Sequence, residues 1–311
     1  MDLGIVVVSY NVRELTLACV ASACEALTHD GLDGHIWVVD NASTDGSAAA
    51  VGQRYPQVSV MECGGNLGFA GGANLGLEAI AALDTTPASV LILNPDTLMA
   101  PDALGHMIRY LEAHPRVGLV GAQLAYGDGS LQHGAFRFPT LAMAFLEFWP
   151  LNHRLTDSRL NGRYPRRRYQ AGEPFAIDHP LGAAMMVRWQ IIREVGLLDT
   201  AYFMYCEEID WCLRIRRAGW VIACVPRARI THLAGQSTRQ FRDRMFVALW
   251  RSRYLLFSRY YSPAYQFLVR RIVRAGLRRE ARGVRVALRR GEITSEEAER
   301  RVGALRQVTE M

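Results

Sequence analysis

The 311-residue chain contains no lysine, so its 36 basic residues are all arginine, set against 30 Asp and Glu. The formal net charge of +6 is unevenly placed, because from residue 251 onward there are 15 Arg, 6 Glu and no Asp. The earlier part of the chain is close to neutral, which marks a basic tail able to meet nucleic acid, anionic lipid or a phosphorylated ligand. Six cysteines are present without CxxC spacing, which excludes a zinc-ribbon site. No apolar run reaches membrane-spanning length, and no basic leader precedes the first apolar run at Leu3. The expectation is a protein that is not exported, with buried free thiols in a reducing compartment. An apolar fraction of 50% and a charged fraction of 21% are ordinary for a globular protein with a sizeable core.

Four early segments read as strands, each followed by a turn or helix signal: residues 4–10, 35–40, 58–62 and 90–93. A Gly-rich loop at 64–76 runs into a helix through 77–83. This alternation predicts a mostly parallel, doubly wound sheet flanked by helices. The last strand is part of Val-Leu-Ile-Leu-Asn-Pro-Asp-Thr at 90–97. Such a run fits a strand buried on both faces, and it delivers Asp96 to the sheet's carboxyl edge, where open α/β sheets bind ligands. Pro95 cannot donate to a ladder, so pairing should stop there with Asn94 and Asp96 facing a cleft. Taken alone, an Asx-type turn explains the segment equally well. Two other strands end in Ser9-Tyr10-Asn11 and in Asp40, and three polar ends on one edge favour a site.

Further along, residues 117–124 read as a strand, 127–129 as a tight turn, 141–148 as an apolar helix and 152–172 as a long polar loop. A second acidic group follows in Glu207-Glu208-Ile-Asp210-Trp-Cys-Leu-Arg214. At helical spacing Asp210 pairs with Arg214, and Gly219 fits the helix C-terminal cap. Helix capping explains the adjacent Glu207 and Glu208 less well, since neighbouring side chains diverge and one should face a cleft. A strand at 228–231 ends in His232, a residue more often structural in such a place. If His232 meets Asp96, an imidazole with a carboxylate suits Mn²⁺ or Mg²⁺ on phosphate oxygens.

These motifs, in this order, resemble family 2 glycosyltransferases. The resemblance rests on Ser9-Tyr10-Asn11, Asp40-Asn41-Ala-Ser43-Thr-Asp45-Gly46, the Gly65-Asn66-Leu-Gly68-Phe-Ala-Gly71-Gly72 loop, Asn94-Pro95-Asp96 and the Glu207-Glu208 block. It covers roughly residues 3–240 and is similar in particular to the bacterial rhamnosyltransferase-like branch that builds cell-surface polysaccharides. It implies a GT-A fold over 1–240, with 241–311 as a basic helical C-terminal extension, and inverting transfer from a nucleotide-sugar. Ser9, Tyr10, Asn11 and Asp40 would hold base and ribose, while Asn66, Gly71 and Gly72 would line the donor pocket. Asp96 would be the metal-binding member of an Asp-x-Asp motif whose first position is Asn94 here, and His232 would join it in the metal or diphosphate site. Glu208 would be the base, with Glu207 the alternative, since the family's second acid is usually Asp. The implied donor is dTDP-rhamnose, ahead of a UDP-hexose or UDP-N-acetylhexosamine, and the implied acceptor is a glycan or lipid-linked saccharide.

Two unrelated readings stay open on the residues alone. A sugar-nucleotide nucleotidyltransferase would place a Gly-rich basic loop after the first strand, where Ser-Tyr-Asn-Val-Arg-Glu stands instead; a non-catalytic nucleotide-binding scaffold would not need the acidic pair. For the tail, arginines interspersed with Leu256, Phe257, Tyr260, Tyr261, Phe267 and Leu268 suit either an interfacial helix on the inner face of a membrane or a dimerising helical hairpin. No nucleic-acid motif accompanies the charge. The expected location is cytoplasmic.

Overall fold

The computed structural model describes residues 1–233 and 242–311. The boundary expected at 240/241 lies outside the described residues. The described residues form twelve strands: β1 (Leu3–Ser9), β2 (Gly34–Asp40), β3 (Ser59–Glu62), β4 (Ser89–Leu93), β5 (Thr97–Met99), β6 (Val117–Ala125), β7 (Leu131–Gln132), β8 (Ala135–Phe136), β9 (Phe175–Ala176), β10 (His179–Pro180), β11 (Ala184–Arg188) and β12 (Val221–His232). Their main sheet runs β3-β2-β1-β4-β11-β6-β12-β5, with β7 beside β6 and β9 beside β12.

The first half is parallel as the alternation predicts, because β1 pairs in parallel with both β2 and β4, and β2 with β3. Every residue of β1 is buried, which fits its unbroken apolar run. The other half is mixed. Strand β11, with Met185, Met186 and Val187 fully buried, inserts antiparallel between β4 and β6. Pairing along β4 ends at Leu93, before Pro95, as expected. The next strand, β5, pairs antiparallel with the end of β12 rather than with β4.

Helix Gly68–Ala81 lies on β1 through its small residues. A Cβ at Gly72 would come within 2.7 Å of Val8 Cγ1, so the missing side chain is what permits this approach. Residues 152–172 are not a plain loop. Short turns at His153–Thr156 and Arg159–Asn161 begin where Asn152 Oδ1 and Ser158 Oγ accept hydrogen bonds from Arg154 N and Leu160 N, and helix Arg166–Gln170 follows Pro165. Such local caps leave no hydrophobic period for a sequence reading to find.

By packing, the chain divides into two units: one of residues 1–137, 164–203 and 207 through β12, the other of 138–163, 204–206 and the helices from Arg242 onward. The second unit contains helices Leu141–Phe148, Arg242–Tyr260, Pro263–Arg289 and Ser295–Glu310 around Phe148, Trp250, Phe257, Val273, Leu277 and Val308. Its helix starts are capped by Ser262, ahead of Pro263, and by Thr294, whose Oγ1 accepts from Glu297 N. No described helix is long and apolar enough to cross a membrane. None of the six cysteines is in a disulfide, and four of them are buried.

Candidate active site

The carboxyl ends of β1, β2 and β4 lie side by side, as the β1 register with both neighbours requires. At the end of β1, Ser9 is fully buried, and its hydroxyl shares a 2.7 Å hydrogen bond with Thr16. Its side chain therefore locks the strand to the next helix rather than facing the edge. Tyr10 and Asn11 are half-buried. Asn11 takes the left-handed conformation at φ 52°, and its Oδ1 accepts from Thr44 N at 2.7 Å while its own N–H donates to Ser43 Oγ. The loops after β1 and β2 are thus tied together.

Asp40 ends β2 at 2% exposure. Its Oδ1 accepts from Ser43 N at 2.7 Å, whereas Oδ2 is buried with no hydrogen-bond partner. A buried carboxylate oxygen left in this state is costly unless a donor reaches it, and a nucleoside N–H or hydroxyl is such a donor. Asn41, which the sequence did not single out for a role, organises the glycine loop. Its Oδ1 accepts from Leu67 N, and its Nδ2 donates to Asn66 Oδ1 and Gly68 O. Asn66 itself is exposed, with Oδ1 also accepting from Gly68 N. Gly71 and Gly72 are buried, and Gly72 serves the contact with Val8. Gly68 sits at φ +73°, where a Cβ would fall 2.0 Å from Phe203 O. Gly68→Ala is expected to cost about 2 kcal/mol or more in a urea unfolding series, from left-handed strain plus this clash.

Asn94 is half-buried at the end of β4, its N–H donating to Ala183 O at 2.9 Å. Asp96 is 4% exposed, and the pairing of His232 with Thr97 across β12 and β5 brings His232 Nε2 within 3.3 Å of Asp96 Oδ1. On the imidazole's other side, Nδ1 donates to Gln132 Oε1 at 3.2 Å. That bond leaves Nε2 with its lone pair towards the carboxylate, an arrangement that needs a proton or a cation between the two groups. An oxygen and an imidazole nitrogen suit Mg²⁺ or Mn²⁺, so the residues present fit a divalent ion as two ligands. Among the described residues no third His, Cys, Asp or Glu completes a cluster, which leaves phosphate oxygens and water for the other positions. Cys19 nearby is buried with its sulfur 3.5 Å from both Asn94 O and Thr97 Oγ1, and burial pushes its thiol up to about 12.

Helix Glu207–Arg217 supplies the acidic pair. Tyr205 and Cys206 precede it at φ 69° and 68°, two consecutive non-glycine residues in the left-handed region, a kind of strain that clusters at functional sites. Glu207 is 4% exposed with Oε2 lacking a hydrogen-bond partner. Burial first, and the charge of Glu208 second, raise its carboxyl well above the usual range. Glu208 is half-buried and runs beside Gly182, where a Cβ would lie 3.7 Å from Glu208 Cβ. Since Ala183 is bonded to Asn94, the segment 182–183 joins the acidic pair to the edge that carries Asp96. Asp210 is structural, as its spacing predicts: it pairs with Arg214 at 2.9 Å, and Arg214 also donates to Leu197 O.

The raised Glu207 carboxyl has a stability signature. Its folded form holds a proton that the unfolded chain releases above about pH 4.3, so this group makes stability fall as pH rises from there until Glu207 ionises in the fold. Glu207→Gln removes that slope. The variant's thermal midpoint is expected to gain on the wild type as pH rises above about 5.

The model of glycosyl transferase family 2 matches residues 4–194. An N-acetylglucosaminyl-diphospho-decaprenol L-rhamnosyltransferase of Mycobacterium tuberculosis (strain CDC 1551 / Oshkosh) is 28% identical over 267 residues, covering 82% of this chain and 85% of that protein. Rhamnosyltransferase WbbL of Escherichia coli (strain K12) is 30% identical over 159 residues, covering 50% and 56%. Among solved structures, the mannosyltransferase PcManGT of Pyrobaculum calidifontis, in complex with GDP-Man and Mn²⁺, superposes with a TM-score of 0.56 at 16% identity, over 99% of this chain and 84% of that one. The fold is therefore of GT-A type, and the sheet order found here is its framework. The chain belongs to glycosyl transferase family 2 and is a glycosyltransferase.

Proposed function

We propose that the protein transfers rhamnose, with inversion, from dTDP-rhamnose to a hydroxyl of a polyprenyl-diphosphate-linked saccharide. The observation that carries this reading is that segment 182–183, bonded to Asn94 two residues before the Asp96–His232 pair, also runs beside Glu208 of the acidic pair. The names of the M. tuberculosis and E. coli relatives support rhamnose as the sugar, and the first supports the lipid-linked acceptor.

In this reading Asp40 Oδ2 accepts from the nucleoside, and the loop organised by Asn41 and Asn66 closes against it. Asp96 and His232 would hold a divalent cation, Mg²⁺ or Mn²⁺, which when bound offsets charge on the departing diphosphate. Asn94 adds an uncharged amide where a second carboxylate would repel that diphosphate. Glu208 takes the proton of the acceptor hydroxyl as its oxygen attacks the anomeric carbon from the face opposite the leaving group. Glu207, kept neutral by its burial, leaves Glu208 the carboxylate of the pair. Environments that push two adjacent acids apart commonly divide their roles in this way.

A thermal-shift panel of dTDP, UDP and GDP, with and without Mn²⁺ or Mg²⁺, tests the donor site. A ligand at a hundredfold excess over Kd stabilises by about 2.7 kcal/mol, and dTDP with metal is expected to give the largest rise. A flat response to all three diphosphates would overturn the donor assignment. A larger response to UDP would transfer the reading to a UDP-sugar.

A further inference from the structure

The helix Pro263–Arg289 is two-faced in a way that the proposed chemistry does not use. Val269, Val273, Gly276, Leu277 and Val284 are buried along one side. At 100° per residue, Arg271, Arg274, Arg278, Arg282, Arg285 and Arg289 fall on the opposite side within an arc of about 80°, in a row about 27 Å long. All six are exposed. None has an acidic partner among the described residues, whereas Arg290, Arg301 and Arg306 elsewhere in the same unit each pair with a glutamate. Surface arginines placed only for solubility are ordinarily interspersed with acids, and six in one line leave their mutual repulsion uncompensated.

The row also has an apolar end. Phe267, on the same arc and 62% exposed, and Leu268, 47% exposed, stand at its start, with Arg271 5.9 Å from the Phe267 ring centroid. We infer that this face is a docking surface for an anionic phospholipid bilayer. A straight cationic row matches a plane of phosphate headgroups, and the exposed phenyl and leucyl side chains suit the headgroup and acyl boundary, which a nucleic-acid backbone does not offer. The guanidinium fork pairs with phosphate through two hydrogen bonds, so an all-arginine row holds headgroups better than ammonium groups would. This inference stands on the helix alone and does not depend on the donor, the acceptor or the base.

The test is co-sedimentation of the full chain with vesicles rich in phosphatidylglycerol and with vesicles of phosphatidylcholine, in low and high salt. Binding is expected only to the anionic vesicles, weakening as salt rises. The triple variant R274E/R278E/R282E is expected to bind them at least about 100-fold more weakly, and Phe267→Ala is expected to weaken binding without altering its salt slope. Because all four positions are exposed, the thermal midpoints of the variants should match the wild type, so lost binding is distinguishable from lost folding. Equal partitioning of wild type and triple variant would overturn the inference. So would tight binding to duplex DNA with no retention on anionic vesicles.

Discussion

Glu208→Gln is expected to lower kcat for glycosyl transfer by about 10³-fold while leaving donor binding within a few-fold of the wild type. The substitution keeps the side chain's size and its place beside Gly182 and removes only the ability to take a proton. Thermal shift by the nucleoside diphosphate should therefore be retained, which separates a lost base from a damaged pocket. The matched control is Glu207→Gln. Glu207 is the buried member whose carboxyl is held well above its usual range by burial and by the Glu208 charge, so the amide replaces the member of the pair that holds a proton more readily. Its transfer rate should change by less than about 10-fold. The reverse ranking, with Glu207→Gln inactive and Glu208→Gln active, would exchange the two roles.

Asp96→Ala carries the second large effect. The substitution removes the oxygen that faces His232 Nε2, and with it one of the two protein ligands proposed for a cation. Metal-dependent stabilisation by dTDP is expected to disappear, and kcat/KM should fall by at least about 100-fold, the scale on which neutralising a leaving diphosphate matters. Asp96 is buried at the junction of β4 and β5, so the variant's fold needs its own check by circular dichroism. Gln132→Ala offers a milder probe of the same place. It leaves both ligands and deletes only the acceptor that sets the imidazole's orientation, so metal affinity should drop by about 10-fold or more with the fold intact. If Asp96→Ala kept its metal-dependent donor binding, Asp96 would be no more than a turn residue after β4.

Why some of this was legible in the sequence follows from range. The strands that end in Asp40 and Asn94-Pro95-Asp96 announce themselves by local signals: an unbroken apolar run, then a proline and short polar residues. The Asp210–Arg214 pair and the Thr294 cap are likewise local, set by helical spacing. The meeting of Asp96 with His232 is of another kind. It depends on β12 pairing with β5, which brings together two residues 136 positions apart in sequence, and no periodicity encodes such a register. Gln132 lies on a two-residue strand whose burial only the pairing with β6 reveals. Ser9 and Tyr10 are adjacent and both polar, and only the strand's orientation turns the Ser9 hydroxyl inward to Thr16. Gly71 and Gly72 read as a ligand loop because glycine-rich segments before helices often are one. Here the helix begins at Gly68, so both lie inside it, and Gly72 faces β1. The mixed half of the sheet was hidden for a similar reason: the apolar run of β11 is compatible with either direction, and its antiparallel insertion is decided by neighbours on both sides.

Incubation of the full chain with dTDP-rhamnose, Mn²⁺ and an N-acetylglucosaminyl diphosphoprenol, followed by nuclear magnetic resonance of the product's anomeric centre, tests the shared edge most directly. The expected result is dTDP released together with a rhamnosylated lipid of inverted configuration, formed by the wild type and not by Glu208→Gln. A product of retained configuration, or equal turnover by Glu208→Gln, would contradict it.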